Sequence, residues 1–371
     1  MEQAEAAALT RYVLWAGFGL SFTFGALAQR THFCTMGAVA DIVNIGDWSR
    51  MRMWALAIGT AIVGFNAMVA LGWIEARHSV YAAEELIWLS NALGGLVFGF
   101  GMVLASGCGS KTLVRVGGGN LKALVVLLVL AASGFATMRG VAAVWRVETV
   151  DRAAVTLEGG QDLPSLLASV TALPVPALAA VLGLVIGGAL VGWALMRQEG
   201  RSADVLVGGF GIGLVVVAVW WVSGQLGFVP EHPDTLEPTF LATNTRHMES
   251  LSFIAPAGYA LDWLLYYSDA NKRLTLGVVS VAGVIAGSAA WALVSGRFRW
   301  EGFASVEDLA NHLVGAVLMG VGGVTAFGCT IGQGITGVST LALGSFIALA
   351  GILAGAVLGV RYQAWRLERL V

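Results

Sequence analysis

Apolar runs of about twenty residues, parted by short polar stretches, make up most of the chain, a pattern that predicts membrane-spanning helices. Nine runs stand at roughly 12–28, 53–74, 89–106, 122–145, 175–196, 203–223, 274–294, 309–327 and 341–360. Two further segments, 31–46 and 251–267, are apolar but too short to span, and fit re-entrant or interfacial helices. The longest polar connections, 147–174 and 228–250, hold five of the seven prolines (Pro164, Pro174, Pro230, Pro233 and Pro238) and read as extramembrane loops. A β-barrel would show alternating ten-residue segments, whereas these runs are continuous. The expected fold is therefore all-α and polytopic, with about nine transmembrane helices.

One stretch occurs twice. Residues 93–119 read LGGLVFGFGMVLASGCGSKTLVRVGGG, and residues 313–339 read LVGAVLMGVGGVTAFGCTIGQGITGVS. An offset of 221 places Gly94, Gly99, Gly101, Gly107 and Cys108 on Gly315, Gly320, Gly322, Gly328 and Cys329. The same offset carries run 53–74 onto the seventh run, 122–145 onto the ninth, and 31–46 onto the second short segment, with Asp41 falling on Asp262. Cys34 falls on Ala255, so the third thiol has no counterpart. Equivalent runs lie five apart, an odd number, so the copies must face opposite ways, an inverted duplication of the kind common in transporters. The expected layout is a first four-span repeat over 1–150, a loop and linking fifth span over 151–200, and a second repeat over 201–371. Together they form one integral membrane domain.

Composition agrees. Of 371 residues, 57% are hydrophobic and only 12% charged, about half the usual charged share. The net charge of −2 and the lack of a basic cluster exclude nucleic acid as an expected partner. Residues 1–11 are acidic and polar and lead into a full-length apolar run, so no cleavable signal is expected. Lys and Arg number thirteen on the side reached after odd-numbered spans and seven on the other, leaving out Arg139 within the fourth run. That bias predicts an amino terminus outside and a carboxyl terminus in the cytoplasm. Gly183, Gly187, Gly188 and Gly192, and the ladder Gly351, Gly355 and Gly359, read as close helix-packing faces.

The candidate chemistry lies where the repeated helices break. Irregular backbone is tolerated at membrane depth only beside protein or a watery cavity, so breaks at Gly107-Cys108 and Gly328-Cys329 are expected to face an internal site. The segments that restart, 110–116 and 331–339, would present free N–H groups that attract anions. Lys111, three residues after Cys108, either adds positive charge to an anion path or snorkels to the interface. Gly109, Thr330 and Gln333 complete the two breaks. Cys34, with His32 two residues before it, opens the first short segment. A lone cysteine in an apolar segment is usually a buried small hydrophobe. Here all three stand at helix breaks or starts, which favours a functional line of thiols. Weak S–H donors and sulfur acceptors suit a soft, sulfur-bearing anion passed through shallow sites. Asp41 and Asp262 are either intramembrane functional acids or interfacial caps. His312 and Asn66 are weaker candidates. No cofactor, metal or catalytic residue is expected, and no phosphate loop of the GxxxxGK[ST] type is present.

The run Arg-Thr-His-Phe-Cys at 30–34, Gly-Cys-Gly at 107–109 and Gly-Cys-Thr-Ile-Gly-Gln-Gly at 328–334 resemble the YeeE/YedE sulfur transport family. The resemblance covers essentially the whole chain and implies nine spans in two inverted halves. Full-length members include bacterial thiosulfate uptake transporters, in which three cysteines stage the anion through a narrow pore by S–H···S contacts. The resemblance assigns those parts to Cys34, Cys108 and Cys329, in a chain that is not an enzyme. Other members are associated with selenium metabolism or sulfur oxidation, and the motifs do not separate these. The expected partners are a small inorganic sulfur anion, the lipid bilayer and a cytoplasmic sulfur-accepting protein. That last partner belongs to the alternative reading, in which a cysteine persulfide forms and its sulfur is handed on. A soft-metal transporter is disfavoured by the lack of a closely spaced cysteine pair.

Overall fold

The computed structural model describes residues 3–233, 235–269 and 271–369. Of the polar opening stretch 1–11, Met1 and Glu2 lie outside the described residues. In chain order the first helices are α1 (Gln3–Arg30), α2 (Thr35–Ile45), α3 (Ser49–Ala70), α4 (Trp88–Leu104) and α5 (Gly109–Gly117). There follow α6 (Leu121–Arg139), α7 (Val141–Glu148), α8 (Leu163–Thr171), α9 (Val175–Leu182) and α10 (Gly188–Leu195). The last are α11 (Ala203–Trp221), α12 (Ile254–Leu265), α13 (Leu276–Val294), α14 (Val306–Thr325) and α15 (Leu343–Glu368). Wider π-type turns continue the chain at Gly183–Gly187, Val222–Leu226 and Gly332–Gly337. Two antiparallel ribbons, β1 (Glu85–Leu86) with β2 (Val155–Thr156) and β3 (Phe228–Val229) with β4 (Thr239–Phe240), tie down the long loops.

Helix starts follow local chemistry. The side chains of Asn120, Thr275 and Ser305 accept from the backbone N–H of Ala123, Val278 and Asp308, satisfying donors that a helix leaves unpaired at its first turn. Asp162 caps α8 in the same way, with Pro164 in the first turn where its missing N–H costs nothing.

Each of the nine apolar runs falls on helix. Seven helical stretches among the described residues are long and apolar enough to cross a membrane: Ser49–Ala70, Trp88–Gly117, Leu121–Arg139, Val175–Leu195, Ala203–Leu226, Leu276–Val294 and Leu343–Glu368. The chain is thus an all-α polytopic membrane protein. Helices α1 and α14, 28 and 20 residues long, are not among the seven. Two boundaries fall well short of the sequence reading: α3 ends at Ala70 rather than at 74, and the fourth run is divided. The fourth run stops at Arg139, because the chain turns at Gly140 and resumes as the separate helix α7. Arg139 is therefore the exposed last residue of α6 rather than an interior residue of a longer helix.

Helix α4 sits at the centre, packed on α15 and on α14, while α14 also packs on α6. Around them α1 pairs with α13 and α3 with α11. Helices α4 and α14 cross antiparallel through four glycines. A Cβ added at Gly94 would lie 2.8 Å from the Gly322 carbonyl oxygen, and one at Gly322 would lie 2.8 Å from that of Gly94. Gly101 and Gly315 repeat the exchange at 2.9 and 2.6 Å. Gly99 packs against the Ile352 carbonyl of α15, and Gly320 lies against Ser133 and the Leu130 carbonyl of α6.

The ladder Gly351, Gly355 and Gly359 does face a helix, meeting α4 at Ala92, Leu96 and Val103. The other glycine face divides. Gly183 and Gly187 abut Asn66 and Val63 of α3, whereas a Cβ on Gly188 or Gly192 meets nothing within 4 Å. Gly187→Ala is therefore expected to destabilise the detergent-purified protein by about 1–3 kcal/mol through overpacking. Gly192→Ala is expected to be neutral or stabilising by up to about 1 kcal/mol through helix propensity. Thermal melts of the two variants give the comparison, and equal shifts would contradict it.

Candidate functional site

The three cysteines terminate three backbone breaks of one design. His32 (φ 54°), Ser106 (φ 57°) and Phe327 (φ 60°), each two residues before a cysteine, adopt the left-handed conformation that commonly ends a helix. After α4, Gly107 N donates to Met102 O at 2.8 Å; after α14, Gly328 N donates to Gly323 O at 2.8 Å. After α1, Phe33 N donates to Ala28 O at 3.2 Å. The cysteine then stands in extended backbone as the residue before α2 and before α5. Two of the sulfurs cap the new segments, and the third contacts a side chain instead. Gly37 N donates to Cys34 Sγ at 3.3 Å and Gly332 N to Cys329 Sγ at 3.4 Å, while Cys108 Sγ lies 3.3 Å from Ser110 Oγ.

All three thiols are free and buried, with Cys34 at 7%, Cys108 at 1% and Cys329 at 0% exposure. Cys108 is an electrostatic neighbour of both Cys34 and Cys329. Cys34 and Cys108 also share Lys111 as a charged neighbour, with Arg50 close to Cys34. Beside the thiols are polar atoms with no partner. Thr35 Oγ1 and Thr330 Oγ1, each next in sequence to a cysteine, and Trp54 Nε1 are buried without a hydrogen bond. The Trp54 ring stacks on Phe33 at 5.6 Å and abuts Gly334, so it bridges the Cys34 and Cys329 segments. Unpaired buried donors cost about 1–3 kcal/mol each, which a polar occupant would relieve.

The remaining predicted residues divide by role. A Cβ on Gly107 would meet Lys111 Cγ at 3.2 Å, and one on Gly328 would meet Gln333 Cγ at 3.0 Å, so both glycines let a following side chain fold over its break. Gly109 packs against Ile254 of α12. Gln333 reaches back across its break, Nε2 donating to Ala326 O at 2.6 Å, and its Oε1 is left unpartnered. His32 turns from Cys34 to Arg297, Nη1 to Nε2 at 3.3 Å. Asp41 pairs with Arg50 at 3.2 Å and Asp262 with Lys272 at 2.5 Å, so both acids have basic partners, as helix-end groups do. His312 is held by Asp308, and Asn66 links Ile62 O to Ser339 O.

Beyond Cys329 the site opens into a cavity of about 450 Å³. Phe327 and Gly328, which immediately precede Cys329, line it together with Tyr81, Arg139, Arg146 and Glu249. Tyr81 donates its hydroxyl to Gly332 O at 2.7 Å, and the Arg146 guanidinium pairs with Asp151 at 2.5 Å. The sequence reading missed Tyr81, Thr35, Trp54 and this cavity. Thr35 adjoined a flagged cysteine, and Tyr81 gave no signal because it sits in a loop far from the motifs.

Apolar helices interrupted at a file of buried thiols, with a charged cavity at one end, are the build of a membrane transporter. The model of the sulphur transport family matches residues 30–358, and the chain belongs to that family. It is similar to the thiosulfate transporter TsuA of Spirochaeta thermophila, 26% identical over 369 residues, covering 96% of this chain and 100% of that protein. It is also similar to TsuA of Escherichia coli K12, 27% identical over 345 residues, covering 92% and 91%. The probable transporter YedE of Salmonella typhimurium is 31% identical over 100 residues, 26% of this chain and 22% of its own. The family and these relatives are transporters, not enzymes.

Proposed function

We propose that the chain is an inner-membrane permease for thiosulfate or a closely related sulfur anion. The observation that carries this reading is the threefold repetition of one break, each placing a buried cysteine sulfur at the start of a new segment. The anion collects in the outer cavity beside Arg139 and Arg146. It then steps past Cys329, Cys108 and Cys34 by weak S–H contacts. Thr35, Thr330, Gln333 and Trp54 offer polar atoms along the way, and Lys111 and Arg50, with His32 and Arg297 beyond them, receive the charge on the cytoplasmic side. No single stop binds deeply, as conduction requires.

The proposed frame is nine spans in two inverted halves, counting α1 and α14 with the seven. Helix pairing supports it, since the 221-residue offset exchanges α4–α15 with α14–α6, while α1–α13 and α11–α3 correspond in order only, α1 falling outside that offset because the 228–250 loop displaces its counterpart. The reciprocal contacts Gly94–Gly322 and Gly101–Gly315 suit a two-fold axis through that crossing. The periplasmic amino terminus rests on the Lys and Arg bias, which becomes thirteen to eight once Arg139 joins the outer side.

Lys111 and Arg50 near Cys34 would offset part of the burial cost of its thiolate and leave room for one second reading. A Cys34 thiolate attacks the outer sulfur of thiosulfate, the S–S bond breaks, and sulfite leaves with the electron pair, leaving a persulfide for a soluble acceptor. Uptake of thiosulfate labelled on either sulfur, in cells lacking their own uptake systems, tests both readings. Both labels entering together supports passage of the intact ion. Entry of the outer label alone supports persulfide transfer, and entry of neither defeats the substrate assignment.

A further inference from the structure

The outer cavity contains one residue that an anion path does not call for. Among its lining residues are two arginines and a single carboxylate, Glu249. That carboxylate pairs with neither arginine: Arg146 is engaged by Asp151, and Glu249 forms no ion pair among the described residues. Its Oε1 is sealed from solvent and has no hydrogen-bond partner. The position is rigidly fixed. Glu249 N donates to Ser223 Oγ at 2.8 Å, and the preceding residue is pinned on both sides, Met248 N to His78 O at 2.9 Å and Val80 N to Met248 O at 3.1 Å. Glu249 is also an electrostatic neighbour of Tyr81, which in turn neighbours Cys329.

An ionised acid held there would repel a dianion at the mouth of the thiol file, and a carboxylate with one oxygen sealed and unpartnered is costly in itself, a cost that the Asn244 backbone N–H offsets only in part. The protonated acid removes both penalties. An arriving dianion also works against a negative-inside membrane potential, so loading it beside a bound proton lowers the charge that must enter. We propose that Glu249 is a proton-binding site of the outer cavity, and that the anion loads only when this carboxyl is neutral. The proton comes from external water and resides on the carboxylate, and no other bond changes. The inference rests on the permease reading and deepens it.

Burial pushes the Glu249 carboxyl up to about 8, so it is mostly neutral at pH 7 and mostly charged at pH 9. Other groups face it from each packed element. Tyr81 comes from the 74–87 segment, whose His78 carbonyl holds the adjacent Met248, Arg139 from the end of α6, Arg146 with Asp151 from α7 and the turn after it, and Tyr259 from α12. Arg246 and His247 precede it in its own loop and are exposed. Burial holds His78 below the usual histidine range and raises Tyr81 further above neutrality, so neither changes charge between pH 7 and 9.

The test is thiosulfate binding to the detergent-purified full chain, followed by ligand-induced thermal stabilisation at pH 7, 8 and 9. Thiosulfate itself stays a dianion throughout. The neutral fraction of Glu249 falls from about nine-tenths to about one-tenth, so the wild-type apparent Kd is expected to weaken about tenfold. Glu249→Gln, neutral at every pH, is expected to bind as tightly at pH 9 as at pH 7. Should that variant fail to fold, Glu249→Asp keeps a titratable group and with it the pH dependence. A wild-type Kd that is flat with pH, or a Glu249→Gln protein that weakens in parallel, overturns the proposal while leaving the permease reading intact. Absence of thiosulfate binding at every pH overturns both.

Discussion

Cys108→Ala and Cys329→Ala, each at membrane levels matched to wild type, are expected to cut thiosulfate uptake at least about tenfold. Each thiol stands alone at its own break, with Cys108 the neighbour of both others, so no second sulfur covers for a missing one. Removing the thiol at a narrow point, with its polar neighbour left unpaired, costs about 1.4–2 kcal/mol in the barrier, which is about ten- to thirtyfold in rate. The cap is a separate contribution. Cys329 Sγ accepts from Gly332 N, and serine supplies a better cap than cysteine. Cys329→Ser is therefore expected to restore the fold fully and uptake only in part. Alanine variants that carry thiosulfate as wild type does would reduce the cysteines to packing residues.

Gly322→Val is expected to leave little folded protein, seen as loss of the monodisperse peak in size-exclusion chromatography. A Cβ at this position would lie 2.5 Å from Phe98 N and 2.8 Å from Gly94 O, both backbone atoms of α4. No rotamer change relieves a clash with backbone, so the two helices must part. Overpacking of that kind reaches the upper end of its usual range, about 3 kcal/mol, and here it strikes the contact between α4 and α14. Gly192→Val on the open face of α10 is the matched control, where a Cβ meets nothing within 4 Å. Equal recovery of the two variants would mean that the crossing tolerates separation.

The helices were legible because lipid imposes long apolar runs that a sequence displays directly. The breaks were legible for a different reason: glycine and cysteine recur 221 residues apart, and a helix that stops before Gly-Cys leaves a composition signal. The stop in α6 at Arg139 was not visible, since 140–145 is as apolar as what precedes it and only the backbone turns at Gly140. The two halves of the Gly183–Gly192 face look alike in sequence, and whether a neighbour lies opposite depends on tertiary packing. Asp41 and Asp262 read as suspects because their partners, Arg50 and Lys272, lie nine and ten residues away across a turn. Glu249 and Tyr81 carry no local pattern at all. They meet because the 74–87 and 228–250 loops are stitched together by Val80 and Met248, a long-range pairing that no periodicity announces.

A joint made of bare backbone has no rotamers to exchange and no side-chain slack to take up. The glycine seam between α4 and α14 accordingly acts as a weld rather than a bearing, because sliding or tilting either helix would force carbonyls into one another. Whatever yields during passage must hang from that seam: the π-type turn after Cys329, the short helices α2 and α5, and the loops around the outer cavity. Under the proposed permease reading, a conduit built this way would sort its cargo by the width and chemistry of a fixed aperture, rather than by swinging one half of the molecule past the other.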